Sequence, residues 1–262
     1  MMINKTEKLF INGAYCRSES GRVYSSGAKN FPLASAKDLR NAVDGARLAK
    51  WPEVSPYNRG QIIYRIAEML SGRQQEFANY LTDCKDADRQ IALCLDRIIY
   101  LAGWADKYQQ LLSNINPVNG PYLSVSQAEA IGVVAIIADD RDPLLSFLTQ
   151  VLTAIVVGNT AVVCFDKHPA ARLAFGEIFQ SADVPPGVIN LLSGNNFKLQ
   201  AVIASHREIK AIVGLDQQFL GSATDSLKRI ISSGKHHPGE SASINDLAAF
   251  TETKTIWHPR SY

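Results

Sequence analysis

At 262 residues, 46% hydrophobic and 20% charged, the chain has a globular composition and enough length to bury a core unaided, which excludes disordered, collagen-like and coiled-coil classes. Its 27 basic and 25 acidic side chains leave a formal charge of +2, so no general field draws it to nucleic acid or to an anionic membrane. The richest apolar stretch, Leu144 to Val157, is interrupted by Ser146, Thr149, Gln150 and Thr153 and does not read as a membrane span. The first residues, MMINKTEKLFING, carry charge where a signal peptide needs its apolar region, and a cytoplasmic protein is expected. Cys16, Cys84, Cys94 and Cys164 form no CxxC pair, and His168, His206, His236, His237 and His258 stand at no zinc-ligand spacing from them. Reduced structural thiols and no metal site are therefore expected.

In chain order, Leu9 and Ile11 before Asn12-Gly13 predict a short strand turning into a second, followed by a Gly- and Ser-containing loop. Leu39, Val43, Ala46 and Leu48 share one helical face, with Ser35 as N-cap and Asp38 three residues on. Ser55-Pro56 opens a second helix with Ile62, Ile63, Ile66, Met69 and Leu70 on its apolar side, continuing or restarting through Phe77 and Leu81. One long amphipathic helix is predicted from Asp88 to Leu112.

The pattern changes near residue 130. IGVVAII (Ile131 to Ile137) is a continuous β-branched run, as a parallel strand buried on both faces requires. A helix from Pro143 ends at Gly158-Asn159, and TAVVCF, Val188 to Leu192 and Ile209 to Val213 are further strands. Helices from Pro169 to Ser181 and Lys198 to Ser205 separate them, and another is expected near Gln218 to Ser232. A polar stretch, Ser233 to Asn245, precedes a terminal strand, TKTIWH. Strand and helix alternating in this way predict an α/β fold, a doubly wound Rossmann-like parallel sheet. We expect a single domain over residues 1–262: an N-terminal hairpin and helices (1–130), a Rossmann-like part (131–232), and a polar loop with a terminal strand (233–262).

Ligands of such sheets bind at the carboxyl ends of the strands, which directs attention to Ala138–Pro143, Asp166–Pro169 and Gly214–Phe219. The first loop, ADDRDP, carries three carboxylates and one arginine, opposing a pyrophosphate but suiting a helix entrance. No GxGxxG or Walker sequence occurs anywhere.

IGVVAIIADDRDPLLSFLTQVLTAIVVGNTAVVCFDKHP followed by VPPGVINLLSG resembles the cofactor-binding half of the aldehyde dehydrogenase superfamily. RNAVDGARLAKW, RGQIIYRIAEMLSGRQQEFANYL and IIYLAGWADKY are similar to that family's earlier helices. SATDSLKRIISSG and TKTIW are similar to the end of the non-catalytic second module in tandem-domain (family 16) members. Gly158-Asn159-Thr160 and Pro185-Pro186-Gly187-Val188 with Asn190 are the most specific pieces.

The resemblance implies NAD as cofactor, and the departures bear on it. Arg141 stands where active relatives place an oxyanion-stabilising asparagine, with Asp140 and Asp142 beside it. Cys164 matches the lysine that holds the adenosine ribose, although Lys167 follows closely. Ile212-Val213-Gly214-Leu215 replaces the Phe-Thr-Gly-Ser motif that receives the pyrophosphate. The Glu-Leu-Gly-Gly and Gly-Gln-x-Cys segments have no counterpart. Aldehyde oxidation needs a thiolate, a base, an oxyanion donor and a held nicotinamide, and no matching residue supplies any of the four. The positions of the degraded cofactor pocket are Ala138, Asp139, Arg141, Cys164, Lys167 and Gly214. Cys164 reads as a buried inert thiol rather than a nucleophile, and Arg141 as a partner of Asp139 or Asp142 rather than of phosphate. Trp257 reads equally as core or as an intersubunit contact. The expectation is a pseudoenzyme with a structural or assembly role, its partner an active aldehyde dehydrogenase chain or a second copy of itself, with neither nucleic acid nor membrane. The rivals are an NAD(H) sensor and an oxidoreductase component working within such a complex.

Overall fold

The structure, a computed structural model, describes residues 7–81, 86–139, 142–194, 196–233 and 242–260. The chain begins with the expected hairpin, β1 (Leu9–Ile11) and β2 (Ala14–Cys16), its turn made by Asn12 in the left-handed region and Gly13. The following segment, read above as a loop, is a second hairpin of β3 (Val23–Ser26) and β4 (Lys29–Pro32), closed by a two-residue turn at Gly27-Ala28. Helix α1 (Ala36–Leu48) starts as its sequence predicts. The Ser35 hydroxyl accepts from the Asp38 amide, and the Asp38 carboxylate accepts from the Ser35 amide.

Next come α2 (Pro56–Ser71), α3 (Gln74–Tyr80), α4 (Ala87–Ala102) and α5 (Tyr108–Leu112). The long helix expected over 88–112 is thus two. After Ala102 the amides of Trp104 and Ala105 reach back only three residues, to Leu101 and Ala102, tightening the turn and ending the helix. Downstream of that turn the Tyr108 hydroxyl meets Arg59 Nη2 at 3.0 Å.

Strands β5 (Asn114–Asn116) and β6 (Tyr122–Ala130) precede the alternating part: β7 (Val133–Ile137), α6 (Leu145–Val156), β8 (Thr160–Phe165), α7 (Pro169–Ser181), β9 (Ile189–Ser193), α8 (Asn196–Ser205) and β10 (Ile209–Val213). The helix expected over 218–232 is instead a short α9 (Leu220–Thr224) and a strand, β11 (Arg229–Ile231). Leu227, with φ +51°, turns the chain so that the Arg-Ile-Ile run pairs in parallel with β10. Finally α10 (Ile244–Ala248) leads into β12 (Thr251–Pro259), which pairs with β6 along its whole length.

The main sheet has seven strands in the order β11-β10-β7-β8-β9-β1-β2. The first five are parallel, and the N-terminal hairpin adds antiparallel to β9 through Phe10 and Leu191. Val134 and Ile136 of β7 enter one core, and Val133, Ala135 and Ile137 the other, so both faces are covered. This is the α/β doubly wound sheet that the continuous apolar runs predict. A separate sheet, β12-β6-β5, stands apart from it.

All of α6 is buried. Its last carbonyls therefore need protein donors, and three side chains supply them. Trp51 Nε1 donates to Ile155 O at 2.7 Å, Arg59 Nε to Val156 O at 3.3 Å, and the Tyr108 hydroxyl to Val157 O at 3.3 Å. The two asparagines of the family motifs are also fully buried and tie distant segments together. Asn159 accepts from the Gly132 amide and donates to Phe250 O, while Asn190 accepts from the Asn12 amide and donates to Gly187 O.

Candidate functional site

The carboxyl edge of the parallel strands is where a doubly wound sheet holds its ligand. Ala138 continues the ladder there, its amide donating to Cys164 O at 2.9 Å. The next loop is held from below by Arg172 in the first turn of α7, which is completely buried. Its Nη2 donates to Asp139 O at 2.6 Å and Asp142 O at 3.3 Å, and its Nε to Pro143 O at 3.0 Å. The guanidinium lies 5.8 Å from the Phe147 ring and 5.7 Å from that of Phe165. Asp142 turns the other way, its carboxylate accepting from the Ser146 amide at 2.8 Å at the entrance of α6. Arg141 and Asp140 lie outside the described residues, so the expected pairing of Arg141 with Asp139 or Asp142 is not described.

Arg172 escaped the sequence reading. The available signal was a cation in the first turn of a helix, where the dipole disfavours it.

Cys164, next to last in β8, has no exposure and is packed in the core with Ile137, Val162 and Leu192. Burial, with Asp166 adding repulsion, pushes its thiol up to about 12, so at neutral pH it is protonated and inert. Lys167 is exposed. Gly214 sits at φ +72°, and a Cβ there would lie 2.8 Å from Ile137 O, so only glycine lets β10 close against the end of β7. Ala138, Cys164 and Gly214 thus meet through backbone packing along one edge of the sheet.

The loop after β10 spends several of its amides internally. The Gly214 amide binds Ile231 O, the Asp216 amide binds Gln200 Oε1 at 2.9 Å, and the Gln218 amide binds Asp216 Oδ1 at 3.1 Å. The Phe197 and Phe219 rings meet edge to face at 5.2 Å, linking α8 to this loop.

Along α6, polarity is buried without being satisfied. The Ser146 hydroxyl and both polar atoms of the Gln150 amide have no hydrogen-bond partner among the described residues, although both residues are almost fully buried. Gln150 faces a cavity of about 50 Å³, shared with Thr153, Ser232 and Asp246. A buried amide without partners costs about 1–3 kcal/mol. Gln150→Met is accordingly expected to stabilise the protein by about 1 kcal/mol, read from urea unfolding; a loss of stability would show that the amide is satisfied by bound water.

The aldehyde dehydrogenase family model matches residues 24–234, well over half of the chain. The chain belongs to the aldehyde dehydrogenase family. It is 31% identical over 242 residues to aldehyde dehydrogenase family 2 member B4, mitochondrial, of Arabidopsis thaliana, covering 86% of this chain and 43% of that one. It is 32% identical over 238 residues to mouse (Mus musculus) retinal dehydrogenase 2, covering 83% and 44%. The NAD+ complex of an aldehyde dehydrogenase from Bacillus cereus superimposes with a TM-score of 0.79 at 22% identity, over 87% of this chain and 50% of that chain. That last likeness speaks to the fold. The chain spans less than half the length of the two curated relatives.

The family implies a dinucleotide, and the described residues of the loop after β10 do not fit its pyrophosphate. A pyrophosphate needs free amides and compensating charge at a helix start. Here the amides of Gly214, Asp216 and Gln218 are taken, the Asp216 carboxylate stands in the loop, and the helix that follows has five residues. Among the described residues no group of three or more His, Cys, Asp or Glu side chains is placed to hold a metal ion. Nor is any described helix long and apolar enough to cross a membrane.

Proposed function

We propose that this aldehyde dehydrogenase family chain is a non-catalytic assembly subunit, a single unit over residues 1–262 that joins an active aldehyde dehydrogenase chain or a second copy of itself. The observation that carries the proposal is the separate sheet. β12 is nine residues long and is an edge strand, as is β5 on the other side. Large apolar side chains stand out on these strands: Ile115 is 75% exposed, Trp257 60%, Tyr122 45% and Ile256 43%. A long open edge beside exposed apolar side chains is a pairing surface, and natural proteins otherwise blunt such edges. Of the two readings of Trp257, its exposure favours the contact between chains.

Emptied chemistry supports the same reading. Residues 214–250 link β10 to β12, contain no cysteine, and offer no counterpart of the family nucleophile. The likeness of its last segments to the second module of tandem-domain members agrees with a supporting role. Cys16, Cys94 and Cys164 are free thiols, which suits a reducing cytoplasm.

Trp257→Glu tests the assembly. The side chain is mostly exposed, so the fold is expected to stand within about 0.5 kcal/mol. Native mass spectrometry should show the oligomer or hetero-complex of the parent chain shifted to monomer. Assembly unchanged by this charge would refute the strand-pairing role. Calorimetric titration with NAD⁺ and NADH is expected to give no saturable heat, and micromolar binding would overturn the non-catalytic reading in favour of a nucleotide sensor.

A further inference from the structure

Away from the sheet's carboxyl edge, a cavity of about 420 Å³ opens between the N-terminal hairpin, the end of α3 and the start of α7. Its size is that of a small-molecule site. The floor is apolar, made by Leu173 and Ala174, and Tyr15 and Tyr80 also line it. Both phenols are anchored. The Tyr15 hydroxyl donates to Leu173 O at 2.7 Å, its ring packs edge-on against Phe10 at 5.3 Å, and the Tyr80 hydroxyl meets Glu76 Oε1 at 3.4 Å. Burial, reinforced by Glu177, raises the Tyr15 phenol well above its ordinary value, so this ring stays neutral.

The rim is cationic for a reason set by the strand register. β1 and β2 pair Leu9 with Cys16 and Phe10 with Tyr15, so Lys8 and Arg17 flank the open end of the hairpin one step beyond. Alternation puts them on the same side as Phe10 and Tyr15, and both line the cavity. Like charges facing each other across two strands repel, and neither side chain forms an ion pair or hydrogen bond with a described residue. Glu7 also lines the cavity and opposes an anion, but its carboxylate lies 4.0 Å from Lys29 Nζ, leaving the Lys8–Arg17 pair in excess.

We propose that this cavity binds a small aromatic anion, its ring between Tyr15 and Tyr80 over Leu173 and its phosphate or carboxylate bridging Lys8 and Arg17. The anion relieves the repulsion of the two cations, and the anchored phenols offer it a wall that needs no rearrangement. This site is independent of the assembly sheet, and its ligand is independent of NAD.

The test titrates the full chain with phenyl phosphate and with benzoate, followed by calorimetry and by ligand-observed NMR. Saturable one-to-one binding of at least one probe is expected, with inorganic phosphate weaker by at least about tenfold because it lacks the ring. The double variant Lys8→Ala, Arg17→Ala should weaken binding by at least about tenfold, at an unchanged unfolding midpoint. Glu7→Gln should tighten it severalfold, a gain that a merely structural disturbance does not produce. The proposal fails if neither probe saturates, if inorganic phosphate binds as tightly as phenyl phosphate, or if Glu7→Gln weakens or leaves unchanged the binding it should tighten.

Discussion

Arg172→Met is expected to lower the unfolding free energy by about 3–5 kcal/mol, the loss typical when a buried charge network is broken. The guanidinium is the shared donor to Asp139 O, Asp142 O and Pro143 O, and a methionine of similar reach leaves those carbonyls without it. Each hydrogen bond from a charged donor contributes about 1.5–3 kcal/mol, and the stacking on Phe147 and Phe165 goes as well. Arg172→Lys keeps the charge but not the planar fork. It is expected to recover no more than about half of the loss. Urea unfolding followed by tryptophan fluorescence reads both variants. A deficit below about 1 kcal/mol for the methionine variant would mean that water takes over the carbonyls and that the loop does not depend on Arg172.

This arginine also explains the acidic loop. Its cation sits beneath the carbonyl ends of the segment that carries Asp139 and Asp142, so the negative field there is balanced from inside the protein. In a dinucleotide-binding sheet, donors at the carboxyl edge point outward to the ligand. Here Arg172 points up into the loop, and the amides after β10 point at Gln200 and Asp216.

What was legible in the sequence follows the range of the interactions involved. The Ser35–Asp38 capping box is a contact across three residues and was read directly. The strands of the parallel sheet were legible because burial on both faces leaves only apolar, β-branched residues in β7 and β8. β6 was missed because YLSVSQAEA carries Ser, Gln and Glu; it becomes a strand by pairing with β12, with Ser126 meeting Thr255 from 129 residues away. The run of small residues before β11 reads as helix, whereas its own Arg-Ile-Ile segment finds its partner in β10. Cys164 and Gly214 could be placed at strand ends from the pattern alone. Arg172 could not be tied to the acidic loop, because its partners are carbonyls about thirty residues earlier that carry no side-chain signature.

Gly187→Ala is expected to cost about 3 kcal/mol or more, although it adds a single methyl group. Gly187 follows Pro185-Pro186 in the turn that delivers the chain into β9, and its φ of +84° is left-handed. That conformation alone costs an L-residue about 1–2 kcal/mol. The larger part comes from the neighbour: a Cβ there would lie 2.4 Å from Gly45 O and 3.2 Å from the Ala49 Cβ. Gly45 O belongs to the backbone of α1, so the clash cannot be relieved by a rotamer change, and either the turn or the helix must move. Moving the turn also pulls Gly187 O from Asn190 Nδ2, 2.9 Å away, and so loosens the link from Asn190 to the Asn12 amide of the hairpin. Gly21→Ala separates the two contributions. Gly21 has φ +62° with nothing within 4 Å of its Cβ position, so it bears the dihedral cost alone, about 1 kcal/mol. Urea midpoints that fall equally for the two variants would show that α1 yields to the turn. A drop at Gly187 exceeding that at Gly21 by about 2 kcal/mol would show instead that the Pro-Pro-Gly motif is kept for the close approach of β9 and α1, a task of the scaffold and not of the cofactor.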